Sequence, residues 1–306
     1  MTAPRAILIA GPTASGKSAL AMRLATDLNG VIINADSMQV YRELSILTAR
    51  PTREDEQQVP HALYGFVSAA DAYSAGRYAM DAAQAIAEAH DRRQMPIIVG
   101  GTGLYFKVLL EGLSPVPAID PAVRARWRQQ GAARPAAELH ALLQSRDPVM
   151  AARLMPGDRQ RIVRALEVLE STGQSLARWQ ATAGSPILRE EGTVRLLVLP
   201  DRATHADTIS VRFEAMLAAG ALAEVRALMA LGIPADRPIM GALGVAELAA
   251  HLAGSAPLER ASAAAIAATR QYAKRQLTWY RRNMIAWKII KKNEMDQSSR
   301  DSLLFM

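Results

Sequence analysis

Ala6-Ile7-Leu8-Ile9-Ala10-Gly11-Pro12-Thr13-Ala14-Ser15-Gly16-Lys17-Ser18 is the stretch that decides the fold. Its last eight residues satisfy G-x-x-x-x-G-K-[ST] without a mismatch, which is the phosphate-binding P-loop pattern. The apolar run Ala6 to Ala10 reads as a buried parallel strand. Ser18 to Leu28 reads as a helix, with apolar residues at Leu20, Ala21, Leu24, Ala25 and Leu28. Strand, glycine-rich turn and helix form the context the motif requires. The glycines let backbone N–H groups converge on phosphate oxygens, and the helix N-terminus adds the positive end of its dipole. Lys17 is placed to neutralise the terminal phosphates, and Ser18 to ligate Mg²⁺. Gly11 to Ser18 therefore form a candidate di- or triphosphate site. The pattern leaves open which phosphate compound binds and what becomes of it.

Further strands follow at Val31–Ala35, at Leu63–Val67 and at Pro96–Val99, with an alanine-rich helix over Tyr73–Arg93 between them. The strand at Pro96–Val99 runs into Gly100-Gly101-Thr102-Gly103 and a helix over Leu104–Leu110. This alternation predicts an α/β fold, a P-loop NTPase-like parallel sheet flanked by helices. Functional groups in such sheets gather at the carboxyl ends of the strands. The P-loop, Asp36 and Thr102 each follow a strand, so they are expected to share one crevice. From Ser114 to Glu191 no strand is evident. Helices are expected near Pro121–Gln130, Ala136–Leu143, Pro148–Leu154 and Arg159–Ser171. Residues 114–191 thus read as an all-α insertion in a core built from 1–113 and 192–306. Val194–Leu199 returns as a strand, helices fill most of the remainder, and Asn293 to Asp301 reads as a frayed polar tail.

The 306 residues are half hydrophobic, contain no cysteine and carry a net charge of +7. Without cysteine there is no disulfide, thiolate metal site or cysteine nucleophile. No apolar run approaches the ~20 residues that span a bilayer. The chain enters a strand almost at once, which leaves no room for a signal peptide, so a cytoplasmic location is expected. The charge is concentrated. Arg260, Arg270, Lys274, Arg275, Arg281, Arg282, Lys288, Lys291 and Lys292 fall in one stretch without an acid. Tyr272, Trp279, Tyr280 and Trp287 are interleaved with them. Such a block suggests a nucleic-acid partner. The alternative is a solvated basic helix face that packs its aromatics inward. An uncompensated basic surface also predicts a monomer.

Asp36 ends a strand beside the P-loop and has two candidate roles, Mg²⁺ ligation or acceptance of a proton from a nucleophile. The Thr102 hydroxyl can donate to a phosphate oxygen, while its neighbouring glycines allow close backbone approach. Asp158-Arg159-Gln160-Arg161-Ile162-Val163-Arg164 opens a helix on which Arg161 and Arg164 share a side. They can serve as phosphate contacts or as a solvated face. His61, His90, His140, His205 and His251 lack metal-ligand spacing and receive no role. The methionines read as core filler.

Taken together, these motifs resemble the tRNA dimethylallyltransferase (tRNA isopentenyltransferase, IPP transferase) family. The resemblance rests on the P-loop, Asp36-Ser37-Met38-Gln39-Val40-Tyr41, Gly100-Gly-Thr-Gly-Leu-Tyr105 and Asp158-Arg-Gln-Arg-Ile162 with Arg164-Ala-Leu-Glu-Val168. Thr269-Arg-Gln-Tyr-Ala-Lys-Arg-Gln-Leu-Thr-Trp279 completes the series, which runs from about Ala6 to Trp287. The resemblance implies transfer of a dimethylallyl group from dimethylallyl diphosphate to N6 of the adenine just 3′ of the anticodon, in tRNAs reading codons that begin with U. It implies that the helical insertion closes on the anticodon stem-loop. It makes Asp36, Thr102 and Lys17 catalytic and adds Arg212 to the diphosphate ligands. It assigns tRNA contacts to Asp36, Ser37, Met38, Gln39, Thr102, Arg124, Gln160, Arg161, Ile162, Val163 and Arg164. A further contact segment is Lys274, Arg275, Gln276, Leu277, Thr278, Trp279, Tyr280 and Arg281. The chain departs from the family pattern at Leu47, Arg50, Thr208, Val245 and Ala246.

The chemistry is coherent with these residues. The diphosphate becomes a leaving group, stabilised by Lys17, Mg²⁺ and loop N–H groups as the allylic C–O bond breaks. The adenine N6 lone pair is delocalised, so Asp36 is expected to act as its base, for about 10²–10⁴ in rate. The adenine must leave its stack to reach the pocket. Three other readings share the P-loop. A small-molecule kinase or an RNA-binding NTPase would turn over ATP, and an adenylate isopentenyltransferase would use free nucleotide.

Overall fold

The computed structural model of the protein describes residues 5–291 and Met295, so Lys292 and, apart from Met295, the segment Asn293 to Asp301 fall outside the description. The chain divides between Leu110 and Glu111 and again between Pro186 and Ile187, giving two compact units. The hydrogen bonds from the N–H groups of Ile187 and Leu188 to Leu109 O show why the return begins at Ile187. They tie residues 187 and 188 to the first unit.

The first unit opens with β1 (Ala6–Ala10), α1 (Lys17–Asp27), β2 (Gly30–Asn34), α2 (Arg53–Gln58) and β3 (His61–Ala62). α3 (Ala75–Asp91), β4 (Met95–Gly100) and α4 (Gly103–Glu111) follow. The second unit holds α5 (Pro121–Ala133), α6 (Ala136–Arg146), α7 (Pro148–Ala151), α8 (Arg159–Thr172) and α9 (Leu176–Gln180). The first unit resumes with β5 (Thr193–Leu199), α10 (His205–Ala218), α11 (Ala221–Ala230), a 3₁₀ turn (Pro238–Gly241), α12 (Val245–Leu252), α13 (Leu258–Asn283) and β6 (Lys288–Lys291).

The six strands form one parallel sheet in the order β3-β2-β4-β1-β5-β6. Both faces are covered, which is why the central strands are nearly continuous apolar runs. Period-two alternation sends Ile7, Ile9, Ile97 and Val99 to the face packed by Leu20 and Leu24 of α1. Leu8, Ala10, Ile33 and Ile98 face the opposite cluster, with Tyr78, Phe106 and Tyr280. Each fully buried aliphatic side chain contributes about 1.5–3 kcal/mol. No helix among the described residues is long and apolar enough to cross a membrane.

Two sequence expectations need correction, and one strand is unforeseen. The strand expected over Leu63–Val67 is confined to His61–Ala62. Leu63 (φ 65°) and Gly65 (φ 56°) turn left-handed and break the extended backbone, leaving Val67 with an isolated bridge to Tyr41. The helix expected to Leu154 stops at Ala151. Nothing in the sequence points to β6, in which Lys288–Lys291 adds a parallel edge strand to β5.

The second unit has its own core, centred on Trp127, Leu139, Leu143, Ile162 and Leu166. Its helices begin where side chains satisfy free N–H groups. Asp120, Asp147, Asp158 and Ser175 cap α5, α7, α8 and α9, and left-handed Gly173 closes α8. Glu170 accepts a hydrogen bond from Trp127 Nε1 (3.0 Å) and pairs with Arg126 and Arg146.

Gly100 carries the tightest backbone approach of the sheet, because a Cβ there would strike the Ala35 peptide. Gly100→Ala is therefore expected to push the ends of β2 and β4 apart and cost about 1–3 kcal/mol or more, as overpacking does. Urea denaturation measures this. A variant as stable as the parent would refute the close approach.

Candidate active site

β2, β4 and β1 are neighbours in the sheet, so the turns that follow them end side by side. Backbone bonds lock two of them together. Ala35 N–H donates to Val99 O (2.8 Å), and Thr102 N–H donates to Ala35 O (3.1 Å). The P-loop, Asp36 and Thr102 are thereby brought together, as expected from their places after strands.

The P-loop enters α1 through left-handed Gly16 (φ 92°), with Ala14 also left-handed (φ 60°). Ser15 N–H donates to Pro12 O, which also accepts from Lys17 Nζ (both 3.3 Å). The loop is held from outside as well. His205 Nε2 donates to the Thr13 carbonyl (2.9 Å), and Thr13 N–H donates to Gln276 Oε1 (3.1 Å). The Ser15 hydroxyl is buried without a protein partner. Ser18 lies exposed in the first turn of α1.

Asp36 is fixed by its own turn and by Asn34. Its Oδ1 accepts Met38 N–H (2.9 Å). Fully buried Asn34 accepts Asp36 N–H (2.8 Å) and donates to both Asp36 O and Leu63 O (3.0 Å each). Asp36 Oδ2 faces the Gly101 backbone. The field of this carboxylate reaches Lys17 and Arg212. Burial lowers the Lys17 amine to about 8, Asp36 opposes that shift and Arg212 adds to it. Burial also lowers Arg212 from its ordinary value, against the pull of Asp36. One anion and two cations thus share a small space. Tyr64, Tyr105 and Tyr272 are raised by burial and by the same Asp36 charge.

Thr102 Oγ1 accepts Ser37 N–H (2.9 Å) and lies 3.3 Å from Ser37 Oγ. The flanking glycines serve packing. A Cβ on Gly101 would meet Gln276 Nε2, and one on Gly103 would meet the Trp279 ring. Close approach of a ligand is not needed to explain either one.

Of the remaining residues expected at RNA, Lys274, Arg275, Thr278 and Arg281 are exposed on α13, while Gln276 and Tyr280 are buried. Leu277 and Trp279 are half-buried. The α13 aromatics therefore pack inward while its cations face solvent, the arrangement expected of a solvated basic helix face. Ser37 and Met38 are half-buried, and the Gln39 amide donates to Thr48 O and Ala49 O (2.8 and 2.9 Å). In the second unit Arg124, Gln160 and Arg161 are exposed, Ile162 is core, and Val163 and Arg164 are half-buried. Arg161 pairs with Asp158 (3.1 Å) and Arg164 with Glu167 (3.3 Å). Among the departures, Arg50 donates to Tyr41 O and Arg42 O (3.0 and 3.2 Å), and Val245 is fully buried. Asn34, His205 and the inward role of Gln276 are not evident in the sequence.

A family model described as IPP transferase matches residues 39–283, and one described as isopentenyl transferase matches residues 4–64. The tRNA dimethylallyltransferase of Azorhizobium caulinodans is 52% identical over 284 residues, covering 93% of this chain and 91% of its own length. The solved tRNA isopentenylpyrophosphate transferase of Bacillus halodurans superposes with a TM-score of 0.67 at 31% identity, covering 95% of this chain and 93% of that one. A eukaryotic dimethylallyltransferase acting on tRNA superposes with a TM-score of 0.81 at 26% identity, over 97% of this chain and 76% of that one. With a family model spanning most of its length and relatives at this level of identity, the chain belongs to the IPP transferase family.

Proposed function

We propose that the protein transfers a dimethylallyl group from dimethylallyl diphosphate to N6 of the adenine 3′ of the anticodon, in tRNAs that read U-starting codons. The observation that carries this reading is the placement of Asp36 beside a phosphate cradle, within the field of Lys17 and Arg212. A phosphoryl-transfer site has no need of a base for an RNA amine, and β4 ends in Gly100-Gly101 rather than in an acid.

The N–H groups of Gly11 to Ser18, with Lys17 and Arg212, hold the diphosphate and stabilise the charge that grows as the allylic C–O bond breaks. Arg212 also lines a pocket whose walls are largely apolar, with Ala14, Leu47, Ile209, Phe213 and Met216, a surface suited to the hydrocarbon. Thr102 and Ser37 share a hydroxyl pair. Rotation of Ser37 to donate frees the Thr102 proton for the departing oxygen. Asp36 keeps Oδ1 on Met38 N–H, and its second oxygen receives the N6 proton as attack proceeds. Among the described residues no cluster of three metal-ligating side chains exists. This fits a Mg²⁺ ion held chiefly by the diphosphate with Ser18, and such an ion would neutralise charge on the leaving group. The exposed cations of α13 and the exposed Arg124, Gln160 and Arg161 are the RNA-facing groups. The enzyme is proposed to work as a cytoplasmic monomer.

Incubation with Mg²⁺, labelled dimethylallyl diphosphate and unmodified tRNA is expected to label the tRNA. Label on free AMP, or ATP turnover without transfer, overturns the proposal. Asp36→Asn is expected to retain diphosphate binding and lose about 10²–10⁴ in kcat; transfer at the parent rate removes Asp36 as the base.

Lys17 attracts diphosphate only when charged, so affinity is lost as pH rises through its pKa of about 8. The pH profile of kcat/KM for dimethylallyl diphosphate should therefore fall above about 8, and Lys17→Arg should flatten that limb. Arg281→Gln is expected to weaken tRNA binding at low salt and reduce the salt slope by about 1. An unchanged slope would remove Arg281 from the RNA contacts.

A further inference from the structure

We propose that Gln276 and Tyr280 are positioning residues for the phosphate cradle, fastening the Gly11–Thr13 turn to the Gly101 turn through buried side chains of α13. Gln276 Nε2 donates to Gly101 O (2.8 Å), while its Oε1 accepts Thr13 N–H (3.1 Å). The Tyr280 hydroxyl reaches Gly101 O (2.9 Å) and Gly11 O (3.2 Å). Both side chains are almost wholly shielded, at 6% and 1% exposure. Four contacts from positions i and i+4 of one helix thus converge on backbone atoms of the two turns. One turn earlier on the same face, Ala273 shares a buried cluster with Ala14 of the P-loop and Ile209.

The chemistry of the fastening is specific. The two turns present a carbonyl at Gly101 and an N–H at Thr13, and a carboxamide serves both at once. A carboxylate in its place would accept from Thr13 and repel the Gly101 carbonyl, so a buried mismatch would result. Gly101 has no side chain because a Cβ would occupy the position of Gln276 Nε2. This commitment to the interior separates Gln276 and Tyr280 from exposed Lys274, Arg275 and Arg281 on the same helix. They act on diphosphate binding through the cradle and not on RNA.

The assignment rests on the diphosphate reading of the P-loop, so the probe is inorganic pyrophosphate with Mg²⁺, titrated calorimetrically beside steady-state transfer. At pH 8, Gln276→Glu is expected to weaken pyrophosphate binding at least about tenfold, the size of one lost buried hydrogen bond. The loss should shrink relative to the parent as the pH is lowered to about 5, because burial beside the Gly101 carbonyl raises the introduced carboxyl above its ordinary value and its protonated form again donates and accepts. KM for tRNA should stay within about twofold. Tyr280→Phe should weaken pyrophosphate about threefold or more with an unaltered circular dichroism spectrum. It carries the test by itself if Gln276→Glu does not fold. Parent-like pyrophosphate affinity in both variants overturns the proposal, as does a loss confined to KM for tRNA. Failure of the parent protein to bind pyrophosphate would instead remove the diphosphate reading itself.

Discussion

Gly100 and Gly101 occupy a place where three backbones and one helix compete for the same volume. Gly100 lets the end of β4 lie against the Ala35 peptide, and Gly101 leaves room for Gln276. Everything in the site is positioned from that contact. Thr102 N–H reaches Ala35 O, Ser37 N–H reaches Thr102 Oγ1, and Asp36 is left facing Gly101. A side chain at either glycine would move Asp36, the Ser37–Thr102 hydroxyl pair and the P-loop relative to one another.

Around this contact lie three half-buried charges, Lys17, Asp36 and Arg212. Lys17 loses some of its hold on its proton through burial, and Arg212 lies near enough to reinforce that loss. Asp36 moderates the repulsion between the two cations. Such an arrangement carries unfavourable like-charge energy between Lys17 and Arg212, which the proposed diphosphate would relieve. Asn34 keeps Asp36 in place without neutralising it, because it bonds only to backbone atoms.

α13 joins two jobs by its geometry. Its inner face carries Ala273, Gln276 and Tyr280 against the glycine turns, and its outer face carries exposed cations. A helix separates such faces at no cost because residues three and four apart share a side. The second unit shows the same division on a smaller scale. Ile162 belongs to its core, while Gln160 and Arg161 on the same helix are exposed.

Much of this was legible in the amino-acid order. The P-loop is a local pattern whose glycines and lysine declare their purpose within eight residues, and parallel strands buried on both faces announce themselves as apolar runs. The α/β core, the helical segment and the candidate roles of Lys17, Ser18, Asp36 and Thr102 follow from such local signals. Weak local signals misled. Leu63–Val67 looks extended, yet left-handed Leu63 and Gly65 break it, and the short β6 is hidden among basic residues. What sequence alone did not determine depends on contacts between distant segments. Thr13 and Gln276 are 263 residues apart, and His205 is 192 residues from the carbonyl it holds. Neither partner carries a periodicity or motif that names the other. The sequence by itself determined where the phosphate-loop pattern lies and which strand and helix flank it. The tertiary structure decided which oxygen of Asp36 faces the site, why its glycines are glycines and what holds the cradle, because those are matters of space between chain segments.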